Sequence, residues 1–248
     1  MKHYYLTDPG KVRDHNEDSV IIINNYSDEY LMAVADGMGG HKNGEVASSI
    51  AVSHLGKNFK SLGTIGTKDE AVNWLKETVS EANALIYKYT EENPESVGMG
   101  TTLVVAIITK DYLLIGNIGD SSGYIVKNKQ LQKITTDHTL VNLLVKSGEL
   151  TPEEAKEHPR KNVLMKALGA NANVEMDIFN IDPNVDAIFL CSDGLTNMLD
   201  DNQIIKVLND NLSPQEKMEK LIYKCNNRGG NDNISVAYLI KAGVENDS

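Results

Sequence analysis

The chain has 248 residues, 41% hydrophobic and 24% charged, with 35 acidic against 24 basic side chains and a formal net charge of -11. A chain of this size buries enough surface to fold without disulfides or a structural metal, and its composition is that of an ordered soluble protein. The acidity argues against nonspecific nucleic-acid binding and against docking on anionic lipid, but bound cations could still bring in an anionic substrate. The two cysteines, Cys191 and Cys225, fall in an apolar run and near the end of a helical pattern. They read as buried free thiols, which suits a reducing compartment. The first residues contain no apolar targeting segment, and no run reaches the roughly 18 apolar residues that span a bilayer. The reading is a cytoplasmic protein without a pro-segment.

Residues 3–8, 18–25 and 30–36 read as strands, the last running into an Asp-Gly turn. A period near 3.6 predicts helices over 44–60 and 69–92, with Pro94 just beyond the second. Four short β-rich segments come next between 101 and 137, joined by Asn, Gly, Asp or Lys turns, and read as consecutive antiparallel strands. Residues 138–170 are polar and weakly helical, with a start signal at 147–155. Strands at 175–181 and 185–191 precede helices at 201–209 and 214–226, where Ser213 and Pro214 suit the cap and first turn of the second. A strand at 233–240 closes the pattern. This order lacks strict βαβ alternation and fits antiparallel sheets packed together with helices outside, in one domain over 1–241 with a short tail at 242–248.

Four aspartates sit at strand ends beside glycine or asparagine: Asp36, Asp120, Asp193 and Asp232. Singly, each reads as an ordinary turn aspartate. Together they point elsewhere, because carboxylates emerging from apolar strands repel and are desolvated unless they are paired or bind metal. No matching set of Lys or Arg occupies strand ends. Oxygen donors without a Cys or His cluster favour Mg²⁺ or Mn²⁺ over zinc, at a site that could be binuclear. Two such ions could clamp a phosphoryl group.

The blocks RDHNED (13–18), VADGMGGH (34–41), GTTLV (100–104), GNIGDS (116–121), TTDHTLV (135–141), HPRKNVLMKALG (158–169), CSDGL (191–195) and GGNDNIS (229–235) occur in this order. In this the chain resembles the metal-dependent serine/threonine protein phosphatases of the type 2C class, in their compact bacterial form, from about residue 3 to 240. The resemblance implies an α+β four-layer αββα sandwich of two antiparallel sheets flanked by helices. It implies that Asp36 bridges two Mn²⁺ or Mg²⁺ ions, with the Gly37 carbonyl on one of them, and that Asp193 and Asp232 complete the second. Asp120, with Asp193, would hold a weaker third ion. Arg13 would clamp the phosphate, since its planar donor fork matches phosphate oxygens, and His41 would be the general acid. Glu17 would bond to metal waters and Asn233 would support the local geometry. Asp18 reads as a structural cap or turn residue.

The implied reaction is hydrolysis of phosphoserine and phosphothreonine in proteins by a metal-activated water, without a covalent phosphoenzyme. The implied partners are phosphorylated proteins and an opposing serine/threonine kinase, with no nucleic acid and no membrane, and the chain is expected to be a monomer. Residues 143–169 resemble the flap beside the active site, anchored by Val163, Leu164, Ala167 and Leu168. Ser122 stands where many relatives carry arginine. A silent binding module would need a damaged carboxylate set or a missing clamp. A phosphatase of small metabolites would favour sugar phosphates over phosphopeptides.

Overall fold

The computed structural model describes residues 1–39 and 43–241. The predicted tail at 242–248 lies outside the described residues. In chain order the strands and helices are β1 (Lys2–Asp8), β2 (Asp18–Asn24), β3 (Tyr30–Met38), α1 (Gly44–Lys60), α2 (Lys68–Glu92), β4 (Gly100–Thr101), β5 (Leu103–Ile108), β6 (Leu113–Ile118), β7 (Ser122–Lys127), β8 (Gln130–Lys133), α3 (Leu140–Ser147), α4 (Pro152–Glu157), β9 (Asp177–Ile181), β10 (Ala187–Cys191), α5 (Asp193–Thr196), α6 (Asp201–Leu208), α7 (Pro214–Asn227) and β11 (Ile234–Ile240).

Two antiparallel sheets stack face to face. One runs β1-β11-β10-β7-β8 and the other β2-β3-β5-β6-β9, with β4 paired to β3. Helices α1 and α2 cover the second sheet, and α6 and α7 cover the first, completing the four-layer sandwich. Both faces of each central strand are therefore buried. On β3, Leu31, Ala33 and Ala35 face the helices, while Met32 and Val34 pack between the sheets. On β10, Phe189 and Cys191 face α6 and α7, while Ile188 and Leu190 fill the space between the sheets. Burial on both sides explains why these strands read as unbroken apolar runs.

Helix starts obey local chemistry. Thr67, Thr151, Asp200 and Ser213 each cap a helix, and Glu70, Glu154, Gln203 and Glu216 return the bond to the capping residue. Both cysteines are free and buried. Among the described residues, no helix is long and apolar enough to cross a membrane.

Three local expectations are corrected, and one short element is added. Strand β3 does not end in an Asp-Gly turn; it runs on to Met38 because Gly37 pairs with Thr101 and Met38 with Gly100. The four-strand run is not one consecutive sheet. Strands β5 and β6 pair in one sheet and β7 and β8 in the other, so the chain crosses between sheets at residues 119–121. The short α5 has no counterpart in the sequence pattern, because four residues leave no periodicity to detect. In the flap, Ala167 and Leu168 are buried as expected and Leu168 pairs with Thr101, but Val163 is exposed.

Leu190 is fully buried on a central strand. Leu190→Ala should lower the unfolding free energy by about 2–5 kcal/mol, seen as a lower urea midpoint at unchanged m value.

Candidate functional site

Strand parity carries two carboxylates to the mouth between the sheets. Asp36 continues the Met32–Val34 row, and Asp18 continues the Val20–Ile22 row of β2. The two are direct cross-strand partners. From the other sheet, Asp193 comes just after β10 and Asp232 just before β11, while Asp120 lies on the crossing from β6 to β7. Asp36, Asp120, Asp193 and Asp232 open at one end of the sandwich, in a cleft of about 350 Å³ also lined by Arg13, Glu17, Gly37 and Asn233, while Asp18 is buried and does not line it. His41 lies outside the described residues.

Backbone and hydroxyl bonds hold these groups in place. Thr102 Oγ1 accepts from the Asp36 N–H at 3.0 Å, and Thr101 Oγ1 donates to the Asp36 carbonyl at 2.9 Å. Asn197 Nδ2 donates to Asp193 Oδ2 at 3.0 Å. Asn233 receives the Glu17 N–H at 2.8 Å and donates to the Pro9 and His15 carbonyls, so it clamps the 9–17 loop against β11. A side chain on Gly37 would collide with the Gly44 and Glu17 carbonyls, so only glycine lets α1 and the 9–17 loop close on this strand.

Asp18 is buried and is more than the cap or turn residue predicted. Its Oδ2 accepts from Ser192 Oγ at 2.8 Å, and Ser192 Oγ accepts from the Ser235 N–H at 2.9 Å. This links the two sheets directly behind Asp193. The Asp18 Oδ1 atom is buried with no partner among the described residues. Thr102, Asn162, Leu164 and Met38 also line the cleft, although the sequence pattern gives none of them a role in the chemistry. Thr102 lies in the GTTLV block and Asn162 in the HPRKNVLMKALG block, so both fall within the ordered motifs.

The electrostatics arise from crowding. Burial first, and then Asp18, Asp193, Asp120 and Asp232, push the Asp36 carboxyl well above its ordinary range. Burial and Asp232 raise Asp193. Burial, with Asp193 and Asp137, lifts Asp120 to about 7. Burial lifts Asp18 to about 7 against the opposing bond from Ser192. Glu17 is raised by burial and by Glu45. Arg13 pairs with neither Asp14 nor Glu17. It grips Asp232 through two contacts of 3.0 Å, Nε to Oδ1 and a terminal nitrogen to Oδ2. No other Lys or Arg forms an ion pair with these carboxylates among the described residues.

Buried acid in excess of its counter-charge suits a divalent cation. Among the described residues, no three His, Cys, Asp or Glu side chains meet closely enough to hold one ion alone. This donor set fits Mg²⁺ or Mn²⁺, which keep several waters and take one or two carboxylates.

A family model described as Protein phosphatase 2C matches residues 11–226. The chain belongs to the protein phosphatase 2C family. It is a serine/threonine phosphatase of the compact bacterial form. A serine/threonine phosphatase of Listeria welshimeri is 42% identical over 237 residues, covering 95% of this chain and 94% of the relative. The crystal structure of a bacterial serine phosphatase superposes with a TM-score of 0.92 at 36% identity, covering 99% of each chain. The catalytic domain of the serine/threonine phosphatase PstP, solved in complex with 2 manganese ions, superposes at 0.83 with 33% identity over 96% of each chain.

For this protein phosphatase 2C chain the raised carboxyls carry a stability consequence. Asp18 and Asp120 titrate near 4 when unfolded and near 7 when folded. Between those values the folded state binds more protons, so stability falls as pH rises through the window. Chelator-treated protein should show a lower urea midpoint at pH 7.5 than at pH 5, and added Mn²⁺ should restore the midpoint at pH 7.5.

Proposed function

We propose that this chain hydrolyses phosphoserine and phosphothreonine in proteins with the aid of Mn²⁺ or Mg²⁺, opposing a serine/threonine kinase in the cytoplasm as a monomer. The observation that carries this reading is the gathering of Asp36, Asp120, Asp193 and Asp232 from four separate chain segments, with Arg13 beside them. Asp36, the Gly37 carbonyl, Asp193 and Asp232 would hold two ions, and Asp120 with Asp193 a weaker third. When bound, such ions supply a water of lowered pKa and neutralise charge on the phosphoryl oxygens.

The remaining chemistry belongs to the chain. The Arg13 guanidinium presents two parallel donors, a geometry already used on Asp232 and equally suited to two phosphate oxygens. Releasing Asp232 therefore frees both the carboxylate for a cation and the fork for substrate. Glu17, next to the cleft with a raised carboxyl, can exchange protons with waters there. Asn233 holds the loop bearing Arg13 and Glu17. His41 is proposed to protonate the leaving serine or threonine oxygen. Attack by Cys191 is disfavoured, since it is fully buried in β10 and burial drives its thiol far above the ordinary range. That supports direct hydrolysis without a covalent phosphoenzyme.

Phosphate release from a phosphothreonine peptide should require Mn²⁺, stop with chelator, and collapse in folded Asp193→Ala protein. No release from folded, Mn²⁺-loaded wild type across varied phosphopeptides would overturn the proposal. Arg13→Lys keeps the charge but loses the fork, and should reduce kcat/KM by about tenfold or more. The same change should lower the Mn²⁺ concentration needed for half-maximal activity, because a competitor for Asp232 is weakened.

A further inference from the structure

His138 takes no part in the chemistry proposed above, yet it is bonded on every side. Its side chain is 9% exposed. The Gly119 N–H donates to His138 Nδ1 at 3.1 Å, and the His138 backbone N–H donates to the Gly119 carbonyl at 2.9 Å. His138 thus bonds both backbone polar groups of Gly119, sharing the carbonyl with Asn117 Nδ2, which donates to it at 3.1 Å. Because Nδ1 accepts, the ring proton sits on Nε2, which donates to Asp177 Oδ2 at 3.0 Å. Asp177 Oδ1 accepts from Lys166 Nζ at 3.1 Å, and the Met165 N–H donates to the His138 carbonyl at 2.8 Å. Burial works against the charge on Asp177, but its bonds to His138 and Lys166 prevail and hold the carboxyl below its ordinary range.

This cluster grips the residue immediately before Asp120. Asp36 lies within a strand and Asp193 opens a helical turn, whereas Asp120 lies on the crossing between sheets, outside both flanking strands. Its placement depends on the turn that precedes it. Gly119 has φ +97°, and Thr102 packs where a side chain would be.

We propose that His138 is the positioning residue for Asp120: by holding both backbone groups of Gly119 it sets where the Asp120 carboxylate meets a divalent ion, and through Asp177, Lys166 and Met165 it ties that placement to the flap. This rests on the reading of Asp120 as a ligand of the weaker ion. Partners of this kind are worth about 10–100-fold in metal affinity.

The test is calorimetric titration of the metal-free full-length chain with Mn²⁺, alongside thermal melts. Asp120→Ala should abolish the weakest binding step. His138→Ala should weaken that same step by about 10–100-fold and leave the tighter steps unchanged. His138→Asn offers an oxygen near the Nδ1 position and should keep the step close to wild type. His138→Gln offers its amide near the Nε2 position instead and should behave like His138→Ala. If Asp120→Ala removes the weak step while His138→Ala and His138→Gln bind every ion as wild type, the proposal is overturned. Equal losses at every step in all three His138 variants, with lowered melting temperatures, would mean a general folding role and would overturn it too. If Asp120→Ala leaves every step intact, the reading of Asp120 falls, and this proposal with it.

Discussion

The structure is organised around an electrostatic conflict: several carboxylates share one buried mouth between two apolar sheets. Asp18 and Asp36 face each other directly across β2 and β3, a like-charged pairing that is unfavourable in isolation. Asp193, Asp120 and Asp232 add to the same field. Such an arrangement cannot stabilise the fold by itself. It persists because the surrounding sandwich determines the backbone and leaves the side chains no alternative direction.

That surrounding structure is three apolar layers: helices on one sheet, sheet on sheet, and helices on the other sheet. The tight packing of Leu31 through Ala35 and of Leu103 through Ile108 locks strand register. A slip of one residue would turn Asp36 away from the mouth and put Ala35 in its place. Register is thus a structural fact with a chemical consequence. The hydroxyls of Thr101, Thr102 and Ser192 then serve the backbone and Asp18, leaving most carboxylate oxygens facing the cleft without a hydrogen-bond partner among the described residues.

Arg13 introduces a second balance. It is the one guanidinium bonded to a cleft carboxylate among the described residues, and it occupies Asp232 with the same donor geometry that a phosphate would use. It lies on the exposed 9–17 loop, which Asn233 pins at its Pro9, His15 and Glu17 backbone groups. The loop is therefore held at its base while the arginine remains half exposed. A long side chain on a fixed base can change partners without moving the backbone.

Much is legible in the sequence itself. The apolar runs, the 3.6-residue periods and the Ser213-Pro214 helix start depend on nearest neighbours, and those elements appear where local chemistry places them. Asp36, Asp120, Asp193 and Asp232 stand out because an acid at the end of an apolar strand is a local pattern too. Partnership across the fold is not legible. The separation of β6 from β7 into different sheets, the grip of Arg13 on Asp232, the Asp18–Ser192 link and the His138–Gly119 clasp join residues from about 20 to more than 200 positions apart. No pattern along the chain encodes such pairings. The sequence by itself determined which groups are present and which elements carry them; only the packing of two sheets decided that those groups share one buried mouth, where desolvation and mutual repulsion give them their chemistry.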